Sequence, residues 1–324
     1  MTRMEEALDT PGPADDGVLN DMAPASAAGL MVRRARLLRD LATQGRRAGL
    51  SVVCAPDGWG KTALLLQYAD ECARDRTRGA VRLFDAGSWD MLELTRSLDD
   101  AFCELSRCEG SPVILVDNVP PLQEEGVSAL RERLRAGRER GIEFVLACRP
   151  EHRALLRAMS DAHRIGASAL AVRPREYPEW ARMFSIAPTV DVYELTQGIP
   201  ALVVLLQGLD GRDGEAALRR GVVALYRSVL EALHRGRERL ERLASLLILL
   251  KEGSAADLSR CGMRVRAESW ERLARDYPMF GVDVTDRTFR CLGQGPEFDG
   301  LRRDVAAQVS GLAFQAVDIL MAAG

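Results

Sequence analysis

The stretch Ala55-Pro-Asp-Gly-Trp-Gly-Lys-Thr62 lies between an apolar run, residues 50–55, and a segment whose apolar residues recur at helical spacing. A glycine-rich turn that joins a buried strand to an amphipathic helix is typical of a phosphate-binding P-loop. Gly58 and Gly60 allow the backbone to turn tightly and aim its N–H groups at phosphate oxygens, and the N-terminus of the helix favours an anion. The alternative is a strand–turn–helix whose turn binds no ligand.

Three further positions of this stretch carry the predicted chemistry. Lys61 is one of two lysines among the 44 basic residues, so its place in the motif indicates a specific chemical role. It is predicted to reach the β- and γ-phosphates, and Thr62 is predicted to bind Mg²⁺ through its hydroxyl. Ala55 stands where the general pattern has glycine, and we expect a small residue to suffice at that position.

A second metal-positioning acid is expected in such a site. Residues 112–117 form a run that is apolar until its last residue, Asp117, which is predicted to act as the Walker B acid. The next residue, Asn118, stands where many P-loop ATPases have a carboxylate that activates the attacking water. An amide can hydrogen-bond this water but cannot accept its proton, so hydrolysis is predicted to be slow or impaired. The alternative is that Glu124 or Glu125, beyond two prolines, supplies the base from the loop. The alternative for Asp117 is a turn former at the end of a strand.

Arg149 follows another apolar run, residues 142–148. Ligands of open α/β sheets bind at the carboxyl ends of the strands, where this arginine is expected to lie. Its fork of donors is predicted to sense the γ-phosphate. The alternative is a solvated surface arginine in an arginine-rich chain.

Apolar runs that alternate with amphipathic segments predict a doubly wound parallel sheet with helices on both faces. The runs are residues 50–55, 80–84, 112–117, 142–148 and 165–172. Beyond about residue 174 the pattern is helical, and its last part has the order of a winged helix, with three helices followed by a short β-like wing. The predicted parts are a disordered leader (1–29), a P-loop nucleotide-binding domain (30–173), a helical domain (174–225) and a winged-helix domain (226–324).

Composition narrows the functions further. The 324 residues include 44 basic and 47 acidic side chains, which give a formal net charge of −3. This balance excludes a generic polycation that binds nucleic acid through charge alone. The apolar stretches of the chain are too short to span a bilayer. No secretory signal is visible, so we expect a cytoplasmic protein whose cysteines are free thiols. Three histidines without ligand spacing argue against a zinc site.

Taken in order, these motifs resemble the signalling (STAND) class of P-loop ATPases, and most of all the ATPase module of the large ATP-binding LuxR-type (MalT-like) transcriptional regulators. The similar segments are RRARLLRDL (33–41), VVCAPDGWGKTALL (52–65), VILVDN (113–118), FVLACRPE (144–151), ELTQGIPALVVLL (194–206) and RLARDYPMFGVDVTDRTFR (272–290). The sequence departs from the family at Asn118, where a second acid is usual, and after the wing, where the family's histidines are lacking. Since it ends at Gly324, we expect these 324 residues to lack the family's sensor repeats and C-terminal helix-turn-helix.

The resemblance implies that the chain binds ATP or ADP with Mg²⁺ and that Pro200 approaches the base. A purely structural alternative makes Gly198 the end of one helix and Pro200 the first turn of the next. The implied function is a switch in which ADP holds the domains closed, whereas ATP with a signal opens them for self-association. A protein partner would then supply the sensor or DNA-binding function.

Two other functions stay open at this point. The first is a winged-helix DNA-binding module with nucleotide as a ligand only. Its candidate recognition helix, residues 268–277, carries three acids against two arginines, which disfavours contact with DNA phosphates. The second is a turnover P-loop ATPase, which needs a catalytic acid that the sequence does not identify.

Overall fold

The computed structural model describes residues 31–105, 108, 110–186, 196–206, 211–236 and 240–308. The predicted leader and the last sixteen residues, 309–324, lie outside the described residues. The main sheet has five parallel strands in the order β2-β3-β4-β1-β5. The strands are β1 (Leu50–Cys54), β2 (Val81–Asp85), β3 (Val113–Asp117), β4 (Glu143–Cys148) and β5 (His163–Gly166). The prediction of a parallel α/β sheet is confirmed.

Helices cover both faces of this sheet. They are α1 (Ala35–Asp40), which continues through a π-helical turn (Leu41–Gly45) into α2 (Arg46–Ala48), then α3 (Lys61–Arg74), α4 (Met91–Leu105), α5 (Glu124–Glu139), α6 (Arg153–Ala158) and α7 (Ala167–Leu170). Successive strand residues belong to different cores, with Val53 and Val145 in one, and Val52 and Leu146 in the other. Because both faces are covered, the central strands β1, β3 and β4 are apolar at most positions, and Ser51, Asp117 and Glu143 are their polar residues.

The fifth predicted run, residues 165–172, is wrong as a strand over most of its length. The strand β5 ends at Gly166, which pairs with Cys54 at the end of β1. Beyond that pair β1 offers no further backbone partner, because the chain turns there into the glycine-rich loop. The following Ala-Ser-Ala-Leu segment forms α7 instead, in keeping with the good helix propensity of alanine and leucine.

The second half of the chain is mainly helical. Its elements are α8 (Tyr177–Met183), α9 (Pro200–Leu205), α10 (Gly211–Arg235), α11 (Leu240–Leu250), β6 (Glu252–Ser254), α12 (Ala255–Arg260), α13 (Ala267–Asp276), a 3₁₀ turn (Pro278–Phe280), β7 (Val282–Asp283), β8 (Thr288–Arg290) and α14 (Pro296–Gln308). The short strands form an antiparallel sheet in the order β6-β8-β7.

Tyr226 on α10 joins several of these elements. Its hydroxyl donates to the carbonyl oxygen of Met279 at 2.7 Å, and its ring packs edge-on against Phe280 and Phe298. The apolar core around Tyr226 is continuous with the core on one face of the main sheet. The helical half is therefore packed onto the sheet that carries the glycine-rich loop. Within the described part of the chain, every helix is too short or too polar to cross a lipid bilayer.

Candidate functional site

The glycine-rich loop joins the end of β1 at Cys54 to the start of α3 at Lys61. Gly58 and Gly60 have φ angles of +81° and +78°, in the left-handed region that favours glycine. Gly58 also lies close to its neighbours, since a Cβ there would be 2.9 Å from Cδ2 of Leu225 and 3.0 Å from Cβ of Ala201. The loop thus needs glycine at position 58 for both its backbone conformation and its packing.

Lys61 lies inside this loop. Its Nζ donates to the carbonyl oxygens of Ala55 and Pro56, at 2.9 and 3.0 Å, and the residue is 7% exposed. Burial lowers the pKa of Lys61, and the nearby carboxylates of Asp57 and Asp117 oppose that shift. The ammonium therefore lies at the start of α3, held by neutral carbonyl groups that a phosphate group could replace as its partners.

Thr62 and Asp117 meet beside the loop, as expected for a metal-positioning pair. Thr62 Oγ1 donates to Asp117 Oδ2 at 2.5 Å, and Asp117 Oδ1 accepts from the backbone N–H of Asn118 at 2.9 Å. Burial raises the pKa of Asp117. Two hard oxygen ligands fit Mg²⁺, which commonly takes one or two protein oxygens and completes its shell with phosphate and water. The described residues hold no cluster of three His, Cys, Asp or Glu side chains that could bind a metal alone.

Asn118 is turned toward the neighbouring strand. Its φ is +51°, and its Nδ2 donates to Oδ1 of Asp85 at 3.0 Å. Asp85 ends β2 in register with Asp117, so the strand order places both acids at the same edge of the sheet. Sequence reasoning missed Asp85, although it is an acid at the end of a predicted strand, the same signal that identified Asp117.

Arg149 reaches the loop from the end of β4 and binds Asp57. Its Nε lies 3.0 Å from Asp57 Oδ1 and its Nη2 lies 2.7 Å from Asp57 Oδ2, which is a bidentate pair. Ser228 on α10 also donates to Asp57 Oδ2, at 3.0 Å. Neither Asp57 nor Ser228 was predicted from the sequence to belong to the site. A carboxylate within a phosphate-binding loop was the signal that could have drawn attention to Asp57.

Pro200 begins α9 and lies against the same loop. A Cβ on Gly60 would be 3.8 Å from Cβ of Pro200, and the N–H of Ala201 donates to the carbonyl oxygen of Gly58 at 3.0 Å. Gly198 has a φ of +69°, and its carbonyl oxygen accepts from the N–H of Val172 at 2.7 Å. The Gly-Ile-Pro segment therefore bridges the glycine-rich loop and the segment that follows the sheet.

An open cleft of about 660 Å³ extends from the loop, between α3 and the helices α8 to α10. This volume lies within the usual range for small-molecule sites. Away from Lys61 and Thr62 its walls are largely apolar, with Val32, Trp180 and Phe184 among the lining residues. Gln67 of α3 accepts from the N–H of Arg34 at 2.8 Å and donates to the carbonyl oxygen of Val32 at 2.9 Å, which holds the segment before α1 against the cleft.

Trp59, between the two glycines of the loop, is 1% exposed and belongs to the apolar core. Trp59 anchors the outer part of the loop to the protein interior.

The residues after Arg149 contact the C-terminal half. Tyr277 donates its hydroxyl to Glu151 Oε1 at 2.6 Å, and Arg272 of α13 lies 3.5 Å from the carbonyl oxygen of Pro150. Burial raises the pKa of Glu151. Burial, with Arg149 and Lys61 nearby, lowers the pKa of His152 to about 4. The segment that follows Arg149 is thus held by α13 and Tyr277.

The parallel sheet, with a glycine-rich loop between β1 and α3, has the fold of a P-loop NTPase. No protein-family model matches the chain, and no curated protein matches it. Among solved structures, PCH-2 from C. elegans is similar at 15% identity with a TM-score of 0.33, over 64% of this chain and 70% of that one. A RuvB variant from Thermotoga maritima is similar at 14% identity with a TM-score of 0.37, over 78% and 83%.

Proposed function

We propose that this chain is an ATP/ADP-binding signalling switch, similar to the ATPase core of the large ATP-binding LuxR-type (MalT-like) STAND regulators. The observation that carries the proposal is that α9 and α10 hold the phosphate-binding loop directly. Ala201 of α9 bonds to the backbone of Gly58, and Ser228 of α10 bonds to Asp57. A change of nucleotide in the loop would therefore alter the contacts that position these helices.

In this proposal each site residue has one role. Lys61 and the loop N–H groups, with Gly58 and Gly60, hold the β-phosphate, while Arg149 senses the γ-phosphate. Thr62 and Asp117 would hold Mg²⁺, which would supply positive charge to offset that of the phosphate groups. The apolar walls of the cleft accommodate the base, and Pro200 lies between the loop and those walls.

We interpret the C-terminal region as a winged helix on the basis of its element order. The order α11, β6, α12, α13, β7 and β8, with β6, β7 and β8 in one antiparallel sheet, supports this interpretation. The predicted boundary at residue 225 falls inside α10, which runs unbroken from Gly211 to Arg235. We therefore place the boundary between the helical and winged-helix domains after α10.

The position of α13 argues against direct DNA binding. In the winged-helix interpretation α13 is the recognition helix, yet Trp270, Arg272 and Leu273 are buried. Arg272 also approaches Pro150 of the nucleotide-binding domain. A DNA contact through α13 would require it to leave this position. We therefore propose that a protein partner supplies the sensor or DNA-binding function. We also propose that the chain associates with itself in the ATP state.

Binding and scattering measurements test this function. We expect ADP and ATP to bind the purified chain in isothermal titration calorimetry, and Lys61→Ala to remove that binding. Small-angle scattering at saturating Mg-ATP should show a larger or more open particle than at saturating ADP. Failure of the parent protein to bind either nucleotide would reject the nucleotide site, whereas identical scattering profiles in both nucleotides would reject the switch.

A further inference from the structure

The carboxylate of Asp57 lies where cationic groups of the phosphate-binding loop converge. Arg149 makes a bidentate contact with it, at 3.0 and 2.7 Å. Lys61 Nζ lies 3.7 Å from Oδ1, and Ser228 donates to Oδ2 at 3.0 Å. One anionic side chain is thus bound by a guanidinium, an ammonium and a hydroxyl.

This set of partners is also the set that recognises a phosphate group. Arginine forks bind phosphate and carboxylate in the same bidentate geometry, and a lysine ammonium serves as a point charge for either anion. The loop lies at the N-terminus of α3, where anions are favoured. The carboxylate of Asp57 therefore binds the same side chains, Arg149 and Lys61, that could bind a terminal phosphate of a nucleotide.

We propose that Asp57 is a specificity-determining residue that competes with the γ-phosphate and so favours ADP over ATP; this inference rests on the proposed nucleotide switch. ADP has no γ-phosphate, and its binding leaves the pair of Asp57 with Arg149 intact. ATP brings a second anion to the same guanidinium. In this inference ATP displaces Asp57, because its γ-phosphate competes for the same N–H donors and repels the carboxylate.

Displacement of Asp57 also changes the contact with α10. Asp57 leaves Ser228 when it leaves Arg149, because one carboxylate binds both. ATP, but not ADP, therefore breaks a hydrogen bond between the loop and α10. By thermodynamic linkage, any change that weakens the hydrogen bond between Ser228 of α10 and Asp57 must raise the affinity for ATP relative to ADP.

The test is Asp57→Asn, which keeps the size of the side chain and an acceptor oxygen but removes the charge. Calorimetry with Mg-ADP and with a non-hydrolysable Mg-ATP analogue gives the ratio of the two affinities for each protein. We expect the ratio to shift toward the ATP analogue by about tenfold or more, the equivalent of losing one competing charge-assisted pair. Ser228→Ala should shift the ratio in the same direction by a smaller factor.

Asp70→Asn is the matched control, because Asp70 is an exposed carboxylate on α3 that pairs with Arg74. It makes the same charge change and should leave the ratio unaltered. If Asp57→Asn binds both nucleotides with an unchanged ratio while the protein remains folded in a thermal melt, Asp57 is only a structural partner of Arg149 and the inference is overturned. If neither the parent nor Asp57→Asn binds a nucleotide, the proposed function fails, and the inference fails with it.

Discussion

Two clusters of the molecule use the same chemistry in different surroundings. The cleft cluster consists of Arg149, Asp57 and Ser228, and the core cluster consists of Arg78, Glu143 and Tyr68. Each joins an arginine to a carboxylate that also accepts a hydrogen bond from a hydroxyl. Arg149 and Asp57 have side chains that are 37% and 38% exposed, whereas those of Arg78 and Glu143 are 3% and 4% exposed.

Burial decides what each cluster can do. In the core cluster Tyr68 donates to Glu143 at 2.7 Å and accepts from Arg78 at 2.9 Å, while the Arg78 guanidinium lies over the Tyr68 ring. These buried groups are closed to a ligand, and they join α3, the segment between α3 and β2, and β4. In the cleft cluster, Asp57 lines the cavity that extends from the glycine-rich loop, and its partner Arg149 is partly exposed. This arginine can exchange one anion for another, and this makes the cluster a candidate switch.

The largest effect that this comparison predicts is on stability. Glu143→Gln leaves the buried Arg78 cation with only the more distant carboxylate of Asp75, 3.9 Å away, so we expect the free energy of unfolding to fall by about 3–5 kcal/mol. Urea denaturation measures this change. Asp57→Asn should lower it by about 1 kcal/mol or less, because its partner is partly solvated. Glu104→Gln, which removes the exposed partner of Arg82, serves as the control. Equal losses for Glu143→Gln and Asp57→Asn would contradict the distinction between the clusters.

The next prediction concerns the cation beside the cleft cluster. Lys61→Ala should weaken ATP and ADP binding by about 100-fold or more, because the ammonium is placed to bind phosphate and no other lysine lies in the loop. The fold should persist, since Nζ donates to the carbonyl oxygens of the loop itself. Calorimetry measures the affinities. Arg74→Ala, at the far end of α3, is the control and should bind as the parent does; retained affinity in Lys61→Ala would refute the role of the ammonium.

The difference between the clusters also shows what the sequence could reveal. Lys61, Thr62, Asp117 and Arg149 could be placed at one sheet edge because each follows or ends a run that reads as a parallel strand. Carboxyl ends of parallel strands meet at the same edge whatever the details of the packing. Placing these residues at one edge does not require the order of the strands in the sheet. The approximate position of the site could therefore be predicted from local sequence patterns.

Contacts between side chains were not accessible in the same way. The bond of Asn118 to Asp85 exists because β2 lies next to β3, and that neighbour relation is not encoded in either segment. The pair of Asp57 with Arg149 likewise depends on β1 lying beside β4. The error at residues 165–172 had a related origin, since an apolar run forms a strand only while a partner strand continues beside it.

A third prediction concerns how the free energy of unfolding depends on pH through His152, which lies near Arg149 of the cleft cluster. Burial, with Arg149 and Lys61 nearby, lowers the pKa of His152 from 6.5 to about 4. Between pH 6.5 and pH 4, this histidine is protonated in the unfolded chain but not in the folded chain. Acid therefore stabilises the unfolded state, and the free energy of unfolding should fall by about 2 kcal/mol as the pH drops from 6.5 to 4. The raised pKa of Glu151 acts in the opposite sense. Urea denaturation across this range should show a shallower decline for His152→Asn, and equal slopes would refute the assignment.

The smallest predicted effect is on the rate of ATP hydrolysis. Its measurement distinguishes a site that binds the γ-phosphate from one that also cleaves it. Asn118 has no proton-accepting group, so we expect the parent to hydrolyse ATP far more slowly than about 1 s⁻¹, because losing a positioned base commonly lowers a rate by about 10²–10⁴-fold. Asn118→Asp places a second carboxylate beside Asp85, which now accepts from the Asn118 amide at 3.0 Å. Repulsion between the two carboxylates raises the pKa of the pair and makes it a better base.

We therefore expect Asn118→Asp to raise single-turnover hydrolysis by about tenfold, less than a full general base supplies because the new carboxylate loses the hydrogen bond to Asp85. ATP affinity should change little, since a base acts mainly in the transition state. Asn118→Ala removes the same hydrogen bond without adding a carboxylate, so it should not accelerate the reaction. If the parent already turns over at about 1 s⁻¹, or if Asn118→Asp and Asn118→Ala have equal rates, another group is the base. Asp85 is then the next residue to replace, because it ends the neighbouring strand in register with Asp117.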